Sequence, residues 1–109
     1  MQKEEEIISI KPRAYQEAII ETAKSSNTLV VLPTGLGKTL IALYLAIHRI
    51  QKYPGEKILF LAPTRPLIEQ HIIYFKKYLP ELYAQLELFT GHVPANQRKK
   101  LFHQSDIIF

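Results

Sequence analysis

Residues 28–39 read TLVVLPTGLGKT, and residues 40–47 continue as LIALYLAI. The opening run, Thr28–Leu32, is rich in branched apolar residues and lacks polar alternation. That is the pattern of a strand buried on both faces. The run enters a turn containing Gly35 and Gly37, and a long apolar helix follows from Lys38. Strand, glycine loop and helix in this order form a setting in which backbone N–H groups can cradle a phosphate. Glycines let the chain turn tightly, and the positive end of the following helix points at the same place. Lys38 can reach the β- and γ-phosphates as a point charge. Thr39 can offer its hydroxyl to a nucleotide-bound Mg²⁺, a hard cation that keeps most of its waters. The candidate phosphate-binding residues are therefore Pro33, Thr34, Gly35, Leu36, Gly37, Lys38 and Thr39, with Lys38 and Thr39 the candidate catalytic pair. One position departs from the strict pattern G-x-x-x-x-G-K-[ST]: Leu32 stands where its first Gly would fall. The plain alternative is a glycine-rich strand-to-helix turn with an exposed lysine.

Outward from this segment, two hydrophobic patterns alternate. Three further short apolar runs, Ile58–Ala62, Leu86–Phe89 and Asp106–Phe109, read as strands. Ile58–Ala62 is continuously apolar and reads as buried on both faces, whereas Glu87 interrupts the third run and places it nearer a sheet edge. Helical stretches separate them. Residues 12–24 open on Pro12, a residue favoured in a first helical turn, and carry Tyr15, Ala18, Ile19, Thr22 and Ala23 on one stripe. Residues 38–52 are apolar on almost every side up to Ile47, which predicts deep burial. Residues 66–79 run from Pro66 to the residue before Pro80, with a stripe of Ile68, Ile72, Phe75 and Leu79. A short helix is expected near residues 94–103. The order α-β-α-β-α-β-α-β predicts an α/β fold with a parallel sheet and helical crossovers. Ligands on such sheets lie beyond the carboxyl ends of the strands.

Composition bounds these readings. The chain has 109 residues, enough for one domain with a modest core. It carries no cysteine, which excludes disulfides and thiolate metal sites. No apolar run approaches membrane-spanning length, and the acidic start, Met1 to Glu6, is unlike a signal or transit peptide. A cytoplasmic location is the expectation. The net charge of +4 is unevenly spread. Residues 1–21 hold five of the ten acids and three of the fourteen bases, so the remainder is distinctly basic. A basic body suits a polyanionic partner, although a solvated basic surface explains the charge as well.

The motifs carry a family resemblance. Thr34, Gly35, Leu36, Gly37, Lys38 and Thr39, with an apolar Leu32 ahead, resemble motif I of superfamily 2 helicases of the DExH type. Leu32 then fits the family rather than breaking a rule. Upstream, Arg13 and Gln16 resemble the Arg-x-x-Gln element of that family, in which the Gln reads the adenine edge and the Arg helps position the base. A Gln has the donor and the acceptor this requires. Downstream, the segment from Leu61 to His71 resembles motif Ia, a loop that holds the nucleic-acid backbone. The resemblance assigns Pro63, Thr64, Arg65 and Gln70 to that contact. A hydroxyl, a cation and a helix start do converge there. Thr90 and Gly91 resemble a further backbone-contacting loop. Taken together, the motifs are most similar to the archaeal Hef and Fanconi anaemia M translocase group, over about residues 12–109, with residues 1–11 as an extension. The resemblance implies the first part of a RecA-like motor domain, ATP and Mg²⁺ as cofactors, and nucleic acid as partner, with forked or branched DNA ahead of RNA. It also implies a second RecA-like domain in the parent chain, the source of arginine fingers. The nuclease half of Hef-type proteins is not carried over.

The family's next element, a strand ending Asp-Glu-x-His, is not found among these residues; the only adjacent acids are Glu4, Glu5 and Glu6. That element would hold Mg²⁺ and align the attacking water. These 109 residues are therefore expected to bind nucleotide without turning it over. Arg98, Lys99 and Lys100 read first as a solvated helix face. His71 and His103 lack partners at metal-ligand spacing. Phe75 reads as core, while Tyr74 and Tyr78 are open between core and base stacking. Two other functions remain open at this point: a regulatory nucleotide-binding module without motor activity, and an RNA-directed motor of the Dicer type.

Overall fold

The computed structural model describes residues 10–33, 35–80, 84–89 and 94–109. Helix α1 spans Ala14–Ser25 and α2 spans Lys38–Lys52. Then follow β1 (Ile58–Leu59), α3 (Arg65–Tyr78), β2 (Leu86–Glu87), α4 (Ala95–Gln104) and β3 (Ile107–Ile108). The three strands form one parallel sheet in the order β1-β3-β2. Ile107 pairs with Ile58 on one side and with Leu86 on the other. The third run thus lies at a sheet edge, where its interrupting Glu87 placed it, and the last run takes the centre. The ladder extends past the strand ends, since Phe60 N–H donates to the Ile108 carbonyl and Phe89 N–H to that of Phe109.

The chain divides into two compact units, residues 1–54 and 55–109. The first is built on α1 and α2. Leu40, Ile41, Leu43, Tyr44, Ala46 and Ile47 are all buried, so α2 is surrounded as its composition predicts. The Tyr44 hydroxyl donates to the Ile10 carbonyl and ties the segment before α1 to α2. The second unit packs α3 on the sheet. Ile68, Ile72, Phe75 and Leu79 are buried as expected, and Phe75 meets Phe60 and Phe109 edge-on at 5.4 and 5.2 Å. Such tilted contacts are the favoured geometry of aromatic pairs. Lys57 donates to the Ser105 carbonyl at 2.6 Å and so satisfies an acceptor just past α4.

Three expectations need correction. Residues 28–32 belong to no sheet among the described residues, and Leu29 and Val31 are 88% and 81% exposed. A strand is defined by a neighbour distant in sequence, and apolar composition does not name that neighbour. Ile58–Ala62 is likewise covered on one face only: Phe60 packs inward while Leu59 and Leu61 face outward. Finally, the buried residues of α1 are Gln16, Ile20 and Ala23: of the predicted stripe only Ala23 is buried, Ile19 is half-buried, and Tyr15, Ala18 and Thr22 are exposed. The helix starts at Ala14, so Pro12 lies ahead of its first turn and is itself buried. The burial of Gln16 has a polar cause, which its bonds to the loop before α2 make plain.

Candidate functional site

The loop before α2 is shaped by two left-handed glycines, Gly35 at φ +88° and Gly37 at φ +81°. A side chain at either position meets the steric cost that glycine avoids. Leu36 N–H closes back on the Pro33 carbonyl at 3.4 Å. Gly37 is the N-cap of α2 and has no side chain to accept from the first-turn amides. Those donors, together with the positive end of a fifteen-residue helix, are the equipment of an anion site. Lys38 stands exposed on the first turn, and Thr39 beside it is half-buried. Lys38 lies on the α2 face that carries Ile41, Ala42, Leu45 and Arg49 and flanks Ser26, Asn27, Thr28 and Val30. Thr34 lies outside the described residues.

Gln16 sits directly against this loop. It is 5% exposed, and its side-chain amide donates to the Gly37 carbonyl at 3.3 Å and, more weakly, to that of Leu36 at 3.5 Å. Its carbonyl oxygen accepts from the Arg13 backbone N–H at 2.8 Å, half of a capping box at the start of α1. A Cβ placed on Gly37 would come within 2.3 Å of Gln16 Nε2. These contacts turn the Gln16 side of α1 inward: a buried polar group is tolerated where its hydrogen bonds are made. They engage the Gln16 amide with two carbonyls and leave one oxygen lone pair for any further partner. The Arg13 side chain is exposed at the head of the helix.

In the second unit, an open groove of about 600 Å³ lies at the carboxyl ends of the strands. Leu61, Ala62, Pro63, Thr64 and Arg65 form one wall, and Phe89, Phe102 and Phe109 lie among its other lining residues. Thr64 is the N-cap of α3; its hydroxyl oxygen accepts from Leu67 N–H at 3.4 Å, which leaves the hydroxyl proton to donate elsewhere. Arg65 donates through Nε to Glu69 at 2.9 Å across one helical turn, on an exposed face. Glu69 lies within the motif Ia segment but carries no contact in that resemblance, although the i,i+4 spacing of opposite charges signals the pair.

Against known proteins, the DEAD/DEAH box helicase family matches residues 13–109. The chain belongs to the DEAD/DEAH box helicase family. It is 42% identical over 97 residues to the DEAD-box ATP-dependent DNA helicase Fancm of Drosophila melanogaster, covering 89% of this chain and 6% of that protein. It is 55% identical over 64 residues to the DEAD-box ATP-dependent RNA helicase FANCM of Arabidopsis thaliana, covering 59% of this chain and 5% of the relative. Among solved structures, the Pyrococcus furiosus Hef helicase domain superposes with a TM-score of 0.79 at 44% identity, over 89% of this chain and 20% of that one. The α/β fold is therefore part of a RecA-like helicase domain, and the chain spans a small fraction of its relatives' length.

Within this helicase-family chain, the candidate residues gather in two places. Gln16, Gly35, Leu36 and Gly37 meet at the loop that opens α2, with Lys38 and Thr39 on the helix's first turn. Pro63, Thr64 and Arg65 share the groove wall, whereas Gln70 is exposed on α3 outside that wall. Thr90 and Gly91 lie outside the described residues. His71 packs its ring 4.9 Å from that of Phe60, and no cluster of metal-ligating side chains occurs among the described residues. Tyr74 and Tyr78 contact each other, ring centroids 4.8 Å apart; burial, and then the neighbouring Tyr78, push the Tyr74 hydroxyl above its ordinary pKa. Arg98, Lys99 and Lys100 are exposed on α4, which has no buried residue. One residue with a direct bond to the loop, Tyr15, was assigned only to packing by its helical spacing.

Proposed function

We propose that residues 33–39 bind the phosphates of Mg-ATP, with Gln16 and Arg13 at the base, and that Pro63, Thr64 and Arg65 hold a nucleic-acid backbone. Residues 12–109 would form the first part of the motor domain of an ATP-dependent helicase or translocase, preceded by an extension at 1–11. DNA, forked or branched, is the favoured substrate. The family and the Fancm and Hef likeness support the motor reading. The observation that carries the nucleotide site is the bare N-cap: Gly37 at φ +81° opens α2 without a capping side chain, with Lys38 and Thr39 next to it. Bound Mg²⁺ would neutralise phosphate charge, and Thr39 is the side chain here suited to meet it. A second RecA-like domain in the parent chain would complete the catalytic set.

The test is thermal unfolding with and without Mg-ATP. At nucleotide about 100-fold above Kd, wild type is expected to gain roughly 2.7 kcal/mol. Lys38→Ala is expected to lose most of that gain. A folded protein that shows no shift, or an equal shift in Lys38→Ala, refutes the assignment.

A further inference from the structure

The apex of the phosphate loop is the peptide between Leu36 and Gly37, which leads into a glycine with positive φ. A flip of this peptide is a coupled change of ψ at Leu36 and φ at Gly37, and glycine on the carboxyl side tolerates both signs of φ. A flip would turn the Leu36 carbonyl toward the side where an anion needs donors. A carbonyl there repels phosphate, so the loop needs a device that keeps it turned away.

The structure holds one. The Tyr15 hydroxyl donates to the Leu36 carbonyl at 2.8 Å, across 21 residues of sequence. The adjacent Gln16 adds its weaker bond to the same oxygen and a second to the Gly37 carbonyl. Two successive side chains in the first turn of α1 thus grip the carbonyl of the apex peptide and that of the peptide after it. The Tyr15 bond is the shorter and better formed of the two on Leu36. The ring of Tyr15 is partly exposed, so the hydroxyl contact, rather than core packing, fixes its position. We propose that Tyr15 is a positioning residue for phosphate binding: through the Leu36 carbonyl it holds the apex peptide in the orientation that presents N–H groups to the anion. This rests on the phosphate-loop reading of residues 33–39. Tyr15 touches no phosphate itself and acts through the backbone.

Binding by the 109-residue chain separates the two statements. Calorimetry would compare wild type and Tyr15→Phe with Mg-ATP, Mg-tripolyphosphate and adenosine as probes. Phe keeps the ring and removes only the hydroxyl, and melting of the ligand-free variant checks that it folds. Loss of one hydrogen bond predicts roughly 3- to 10-fold weaker binding of Mg-ATP and of Mg-tripolyphosphate. Adenosine affinity is expected to stay unchanged, a split that a general loss of structure would not produce. If wild type binds tripolyphosphate and Tyr15→Phe binds it equally well, the positioning role is wrong and the phosphate loop stands. Equal weakening of adenosine would also overturn it, by making Tyr15 a contact of the base or of the fold. If wild type binds neither phosphate probe, the loop reading itself falls.

Discussion

At the scale of single residues, the loop glycines differ in what they tolerate. Gly35 and Gly37 both have positive φ, but a Cβ at Gly35 meets nothing within 4 Å, whereas one at Gly37 meets Gln16 Nε2 at 2.3 Å. Gly35→Ala is therefore expected to cost only backbone strain, about 1–2 kcal/mol. Gly37→Ala adds displacement of a buried, hydrogen-bonded amide and is expected to cost about 1–3 kcal/mol more. Urea unfolding of both variants measures the difference, and equal losses would mean that Gln16 yields freely. The turn in this loop was legible because its signal is local: Gly35 and Gly37 stand two residues apart before a long helix, and both take positive φ. Gln16 was legible by spacing to the loop. Its burial was not, because a polar residue is placed inside only by partners that the sequence does not display. The same blindness assigned Tyr15 to a packing stripe when its hydroxyl reaches Leu36.

At the scale of elements, α2 and α3 were the most readable. Helix α2 was expected at its observed bounds, Lys38–Lys52, and α3 is displaced by one residue at each end. Their apolar periodicity and flanking prolines are properties of the segment itself. The strands were read as segments but not as partners: three entered the sheet, and Thr28–Leu32 did not among the described residues. Pairing depends on distant chain, so composition alone leaves it open. Helix α3 also carries the test of the nucleic-acid wall. Arg65 shares its guanidinium with Glu69 on an exposed face, where an ion pair is weak and salt-screened. Glu69→Gln is expected to tighten single-stranded DNA binding roughly 2- to 5-fold at low salt. The log–log salt slope should be about −0.7 per phosphate neutralised, and Arg65→Ala should make it shallower by about that amount. Fluorescence anisotropy over a salt series reads both. A slope unchanged in Arg65→Ala would remove Arg65 from the backbone contact.

At the scale of the whole molecule, charge and architecture point the same way. The basic excess lies after the first 21 residues, and the two candidate sites fall in separate compact units, residues 1–54 and 55–109. Alternating helices and strands made the parallel α/β class readable, since βαβ crossovers leave few other arrangements. Exposed Leu29, Val31, Leu59 and Leu61 show the part that was not readable: runs composed for burial stand uncovered among the described residues. Each unit should respond to its own ligand. The central claim is that the loop opening α2 is a nucleotide site, and it is tested most directly by a ¹⁵N NMR titration with Mg-ATP. The largest amide shifts are expected at Gly35, Gly37, Lys38 and Thr39, with the Gln16 side-chain amide moving alongside, and they should vanish in Lys38→Ala. Saturable binding whose shifts fall instead on residues 62–66, or no shift at all in folded protein, would contradict the claim.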